Sequence, residues 1–106
     1  MGATTLHFTA ARGGLDGVSR ARFAAMLIDR GARLDLRDDL LKSTPLGWAC
    51  RWGRLEMAEV LIKRGALVEE PDPEPWAMPI AWAKRMNHSQ ILSLLNGNLG
   101  AGTSLS

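Results

Sequence analysis

The feature that most constrains this 106-residue chain is that it repeats itself. Phe23-Ala24-Ala25-Met26-Leu27-Ile28-Asp29-Arg30-Gly31-Ala32 aligns with Met57-Ala58-Glu59-Val60-Leu61-Ile62-Lys63-Arg64-Gly65-Ala66, 34 residues further on. Thr44-Pro45-Leu46-Gly47-Trp48-Ala49 aligns with Met78-Pro79-Ile80-Ala81-Trp82-Ala83 at the same 34-residue spacing, and Leu55 to Leu61 aligns with Ser89 to Leu95. Upstream, Thr4-Thr5-Leu6-His7-Phe8-Thr9 matches the Thr44 block at an offset of 40, so the first unit carries about six extra residues, placed within Gly14 to Ser19. A period of this size implies small units that cannot bury their apolar faces alone and must stack.

Each unit reads as a pair of helices. Thr44 is a good N-cap and Pro45 suits the first helical position, which predicts a short helix near 45–52 with Leu46, Ala49 and Cys50 at helical spacing. Gly53 closes it. Met57, Val60, Leu61 and Ile62 give an apolar face to a longer helix near 55–64, which Lys63-Arg64 and a left-handed Gly65 bring to an end. The first unit follows the same order, with Ser19 as the expected cap of a helix running to Arg30 and Gly31 as its stop. Between units two and three, Pro71, Pro73 and Pro75 alternate with acids, so Glu69 to Pro75 is expected as an extended turn before Pro79 starts the next helix. Residues 97–106, rich in glycine and serine, are expected to form a flexible tail.

Short helix, turn, longer helix, glycine stop and extended tip, in a unit of about 33 residues, resemble the ankyrin repeat family. Thr44-Pro45-Leu46, Ala49, Gly53, Leu61 and Gly65-Ala66 carry the resemblance in the second unit; Thr4, Leu6-His7, Ala10, Gly13 and Gly31-Ala32 carry it in the first. It implies an all-α fold: an ankyrin-like solenoid of three helix-turn-helix repeats with extended hairpin-like tips, spanning 1–96 with repeats at about 4–36, 37–70 and 71–96. Departures matter too. The family's histidine is present only as His7, with Gly47 and Ala81 in its place, which implies weaker braces between neighbouring turns; Met78 and Asn87 replace the family's threonine and glycine in the third unit.

Composition adds exclusions. Hydrophobic residues at 46% and charged residues at 23% are those of a folded domain, and a formal charge of +2 does not argue for a polyanion ligand. Cys50 stands alone, so neither an intrachain disulfide nor a multi-cysteine zinc cluster can form; with no secretory leader pattern and no apolar run near 18 residues, the expected location is cytoplasmic. Of two histidines, His7 falls on a structural position of the family and His88 at a helix–helix turn. Without partners in reach neither is a catalytic or metal candidate, and no Gly-rich phosphate loop is present. The sequence therefore gives no catalytic, cofactor or metal site.

The candidate site is a binding surface. Phe8, Trp48 and Trp82 occupy equivalent positions, expected as a buried aromatic ladder; Trp52 falls where the family leaves a variable, exposed residue on the concave side, and Trp76 lies at the base of the acidic tip. Arg12, Arg51 and Arg85 place one arginine per repeat along the same face, with Arg37, Asp39, Leu40 and Lys42 on the first tip. Guanidinium groups pair with carboxylates and stack on indoles. The expected role is a non-enzymatic module that binds another protein, with an acidic or carboxylate-bearing segment, through the concave helices and tips. Self-association through the ends into a homodimer or longer array is the second reading. Nucleic-acid binding along the arginine row is the third, disfavoured because Asp38, Asp39 and Glu56 flank it.

Overall fold

The short helices begin where the sequence supplies a cap or a proline. In a computed structural model describing residues 3–71 and 74–98, α1 (Thr5–Ala11) follows Thr4, whose hydroxyl accepts the His7 N–H while the His7 ring accepts the Thr4 N–H, a reciprocal capping box. The second unit opens with α3 (Pro45–Arg51) after Thr44, whose Oγ1 accepts the Gly47 N–H at 3.3 Å. Helix α5 (Pro79–Arg85) follows Met78, which offers no cap, so Pro79 at the first position starts it alone. The longer helices are α2 (Gly17–Asp29), α4 (Leu55–Lys63) and α6 (Ser89–Asn98).

Two boundaries differ from the sequence expectation. The cap of α2 is Asp16, not Ser19: its carboxylate accepts the Ser19 N–H at 2.7 Å and the helix starts earlier. A charged acceptor at the positive end of a helix outcompetes a hydroxyl one turn later. At the other end α6 runs through Asn98, whose side-chain amide donates to the Leu94 carbonyl at 2.8 Å, so Gly97 and Asn98 are helical and not part of a tail. The rest of the expected tail, and Asp72-Pro73 within the second tip, lie outside the described residues.

Tight turns join the two helices of units two and three through a left-handed residue, Gly53 (φ +72°) and Asn87 (φ +61°). Asparagine tolerates that conformation, which is why the third unit can drop the glycine. At Gly53 a side chain is excluded on a second count, because its Cβ would lie 2.7 Å from the His88 ring. The described residues are all helical or irregular, with no strand: the first tip folds back through one backbone bond from Asp38 N–H to the Ser43 carbonyl, and the second carries a 3₁₀ turn at Pro75–Ala77.

The helices pack in two rows, α1 on α3 on α5 and α2 on α4 on α6, with contacts inside each pair closing the layer. Ala49 and Ala83, equivalent at the 34-residue spacing, and Ala10 and Cys50, equivalent at the offset of 40, are fully buried, letting the short helices approach; Leu46, Met57, Leu61, Ile91 and Leu95 fill the space between the rows. Each large apolar side chain so buried contributes about 1.5–3 kcal/mol.

Polar braces fix the register. Ser43 is the node of the first set. The His7 Nε2–H donates to its carbonyl at 2.9 Å from the first unit, and the Trp82 indole N–H donates to its Oγ at 2.8 Å from the third. Buried Asp38 accepts the Leu40, Leu41 and Ser43 N–H groups and the Trp48 indole N–H at 2.9 Å. The expectation that losing the family's histidine weakens the braces is therefore corrected for this chain: indole N–H groups of Trp48 and Trp82 take over. Gly47 stands where the histidine would because a Cβ there would come within 2.8 Å of the Ser43 Cβ.

The second set caps the C-terminal end of α1. Arg20, 2% exposed, donates Nη1 to the carbonyls of Thr9 (2.7 Å) and Arg12 and Nη2 to that of Leu15 (3.0 Å), while Arg54 donates Nε to the Ala10 carbonyl at 2.8 Å. Arg20 thus pins the extra residues of the first unit onto the end of α1.

Replacing Arg20 with Met strands those carbonyls, and the expected loss is about 2–3 kcal/mol in urea unfolding; a change below about 0.5 kcal/mol would show that Arg20 does not hold the loop. His7 supplies a pH test. Burial holds its pKa below the usual histidine value, partly offset by the bond to Ser43, and Nδ1 is already committed as an acceptor. With the folded pKa depressed, the unfolded chain binds more protons, so stability is full above about pH 6.5 and falls as pH drops below it. A His7→Gln variant is expected to flatten that slope between about pH 7 and 5; an unchanged slope would remove His7 as its source.

Candidate functional site

The α1–α3–α5 row places one arginine at or just past the end of each short helix: Arg12 caps α1, and Arg51 and Arg85 end α3 and α5. Two of the three meet. The Arg51 guanidinium carbon lies 4.7 Å from the Trp52 ring centroid and 5.1 Å from that of Trp82, so it stands against two indoles from adjacent units; Arg85 lies 4.8 Å from the Trp82 ring. Arg85 Nη2 also donates to the Trp76 carbonyl at 3.2 Å, and the Trp76 ring meets Trp82 edge-on at 6.2 Å. On the other side Trp52 meets Trp48 at 5.2 Å, and Trp48 meets Phe8 edge-on at 5.8 Å. The result is a continuous line, Phe8–Trp48–Trp52–Arg51–Trp82, ending in Arg85 and Trp76. Arg12 is exposed at the α1 end, where it lines a groove with Phe8, the outer member of the line.

Burial along the line differs from the sequence expectation. Trp48 and Trp82 are 5% exposed, as a ladder requires, but Phe8, on the outermost of the described short helices, is 56% exposed. Trp52, expected to face solvent, is half-buried: the Trp48 and Arg51 faces take up much of its surface. Trp76 is exposed, as is Met86, which follows Arg85 at the end of α5.

The tip residues divide. Arg37 faces the second tip, donating Nε to Glu70 at 3.0 Å and Nη2 to the Pro71 carbonyl at 2.5 Å, while Thr44 donates to the other Glu70 oxygen at 3.2 Å. Burial raises the Glu70 pKa above the usual carboxylate value despite the opposing pull of Arg37 and Thr44. These groups line a cleft of about 310 Å³ between the tips, with Leu34, Ala66 and Leu67 as its apolar wall. Asp39, Leu40 and Lys42 stand exposed on the crest of the first tip, Leu40 at 81%, and Lys42 takes a left-handed conformation (φ +53°). Asp38, counted from the sequence among the acids flanking the arginine row, is instead buried, its carboxylate held below the usual range by the N–H groups around it, against the opposing effect of burial.

Cys50 is fully buried and its thiol is pushed up to about 12, which leaves no thiolate for nucleophilic attack. His7 is a brace, and His88 Nε2 donates to the Arg51 carbonyl at 3.2 Å, holding the end of α3 under the third unit. Among the described residues no group of three metal-ligating side chains gathers, and no helix is long and apolar enough to cross a membrane. Sequence reasoning missed Met86, whose thioether lies 3.7 Å from Arg51 Nη1, and Ser43, on which the register depends. Met86 was legible as the residue 34 after Trp52; Ser43 carried no pattern of its own.

A comparison with curated proteins finds no match. Residues 42–73 match the family model of the Ankyrin repeat, a span that takes in α3, α4 and the start of the second tip. The six helices, paired and packed in two rows, are consistent with that match. Over residues 42–73 the chain is thus similar to an ankyrin repeat.

Proposed function

We propose that the chain is a non-enzymatic, cytoplasmic interaction module that binds another protein through the face of its short helices, taken as the concave side, and through its tips. Ankyrin repeats are generally protein–protein interaction modules. The observation that carries the reading for this chain is the line from Phe8 to Trp76, in which three units contribute to one accessible strip of aromatic and guanidinium surface. Aromatic side chains and arginine are the residues that most often dominate binding energy, and rigid helices hold these without further ordering cost. Arg12, Arg51, Trp52, Trp76 and Arg85 form the strip; Arg37, Asp39, Leu40 and Lys42 extend it to the first tip. An acidic segment of the partner suits the arginines, with the Glu69 to Glu74 tip setting its direction by opposite sign.

Self-association is a second reading, favoured by one observation: Phe8, Leu15 and Phe23 line an apolar groove of about 140 Å³ beside α1 and α2. A concentration-dependent melting temperature with dimers in sedimentation supports it, and a monomer at high concentration removes it.

A protein ligand captured on the immobilised chain is expected to lose about tenfold or more in affinity with Trp52→Ala or Phe8→Ala. Glu59→Ala, on the α2–α4–α6 row, is expected to leave affinity within about twofold. Loss on the α4 side with none on the strip would place the interface elsewhere and overturn the reading.

A further inference from the structure

Arg51 differs from every other arginine of the strip in what surrounds its charge. Its guanidinium stands between the Trp52 and Trp82 rings, its Nε is buried without an acceptor, and its one side-chain hydrogen bond among the described residues runs from Nη1 to the Met86 thioether at 3.7 Å. Among the described residues no carboxylate lies within ion-pair distance of it, whereas Arg33, Arg37 and Arg64 are each paired. Indole faces stabilise a cation but accept none of the guanidinium's five N–H donors in its plane, and thioether sulfur is a weak acceptor. A partly desolvated cation in that condition gains most from one thing, a carboxylate brought to its free edge where water is already thinned.

We infer that Arg51 is the specificity-determining residue of the strip and takes one Asp or Glu side chain of an extended peptide segment, flanked on both sides by large apolar residues. This rests on the protein-binding reading above and names the partner's chemistry. The flanks follow from the layout. Exposed Phe8 on α1 and exposed Trp76 and Met86 beside α5 lie on either side of Arg51 along the row. Adjacent helix axes stand about 8–10 Å apart, so the strip runs roughly 20 Å across three short helices. An extended chain covers that distance in about six residues at roughly 3.3 Å each. An acid near the centre with an apolar side chain two or three places away on each side therefore meets Phe8, Arg51 and Trp76 together. Because the surface continues in both directions from Arg51, an internal acid fits and a terminal carboxylate does not.

The test uses the full chain panned against a displayed library of random twelve-residue peptides, followed by synthetic peptides from the enriched set. Enrichment of Asp or Glu with apolar residues two or three places to either side is expected. In the synthetic peptides, Asp→Asn or Glu→Gln should weaken binding to the wild type about tenfold and to Arg51→Gln less than about twofold. Should Arg51→Gln lower the melting temperature sharply, Arg51→Lys carries the same cycle, with a reduced penalty expected because the planar fork is gone. Peptides that depend on Phe8 and Trp76 yet tolerate loss of the acid would overturn the role of Arg51 and leave the binding strip standing. Peptides indifferent to Phe8→Ala and Trp76→Ala would overturn the strip itself. Absence of any enriched peptide, or tighter binding of a fluorescein-labelled single-stranded oligonucleotide that Arg51→Gln abolishes, counts against the inference.

Discussion

Ser43 is a small residue on which two large ones converge. The imidazole of His7 arrives from the first unit and the indole of Trp82 from the third, and both end on this serine, one on its carbonyl and one on its hydroxyl. Buried polar groups need partners, so these bonds exclude slipped arrangements in which an imidazole or indole N–H would be stranded. Hydrophobic burial drives the helices together but tolerates small slides; directional bonds to a single residue do not. The line of aromatic and arginine side chains inherits its order from that constraint. Trp82 can face Arg51 only because its N–H is tied to Ser43, and Trp48 can face Trp52 and Phe8 only because its own is tied to Asp38.

The two braces use the two ends of the same side chains differently. An indole is polar at one edge and apolar over its faces, and here the polar edge is spent inward while the face is presented to the arginines. Arg20 and Arg54 act in a parallel way at the end of α1, where carbonyls without intrahelical partners accept guanidinium donors. Arginine thus appears in two roles in the chain, as a buried cap and as a surface cation, and only its surroundings tell them apart.

Much of the architecture was legible in the sequence because the period and the caps speak locally. Thr4, Thr44, Pro45, Pro79 and the glycines at 31, 53 and 65 mark helix ends by chemistry that needs no distant partner, and the structure puts helix ends there. Asp16 was missed because Ser19, three residues on, is an equally good cap by type; charge decided between them. The site was legible as a row and illegible as a stack. Equivalent spacing placed Arg51 and Arg85 on one face, but which ring each guanidinium meets depends on side-chain direction, which sequence spacing leaves open. Likewise Phe8 matched Trp48 and Trp82 in position and not in burial, because burial depends on whether another unit covers it.

The central claim is that neighbouring short helices lie in a fixed register, so that Arg51 is shared by Trp52 and Trp82. Proton chemical shifts of the Arg51 side chain report on this directly, since protons above an indole face move upfield. The account predicts strongly upfield-shifted Arg51 side-chain protons that move toward ordinary arginine values in Trp52→Leu and keep a residual shift from Trp82. Arg51 protons at ordinary arginine positions in the folded wild-type chain would contradict the shared stack, and the binding strip with it.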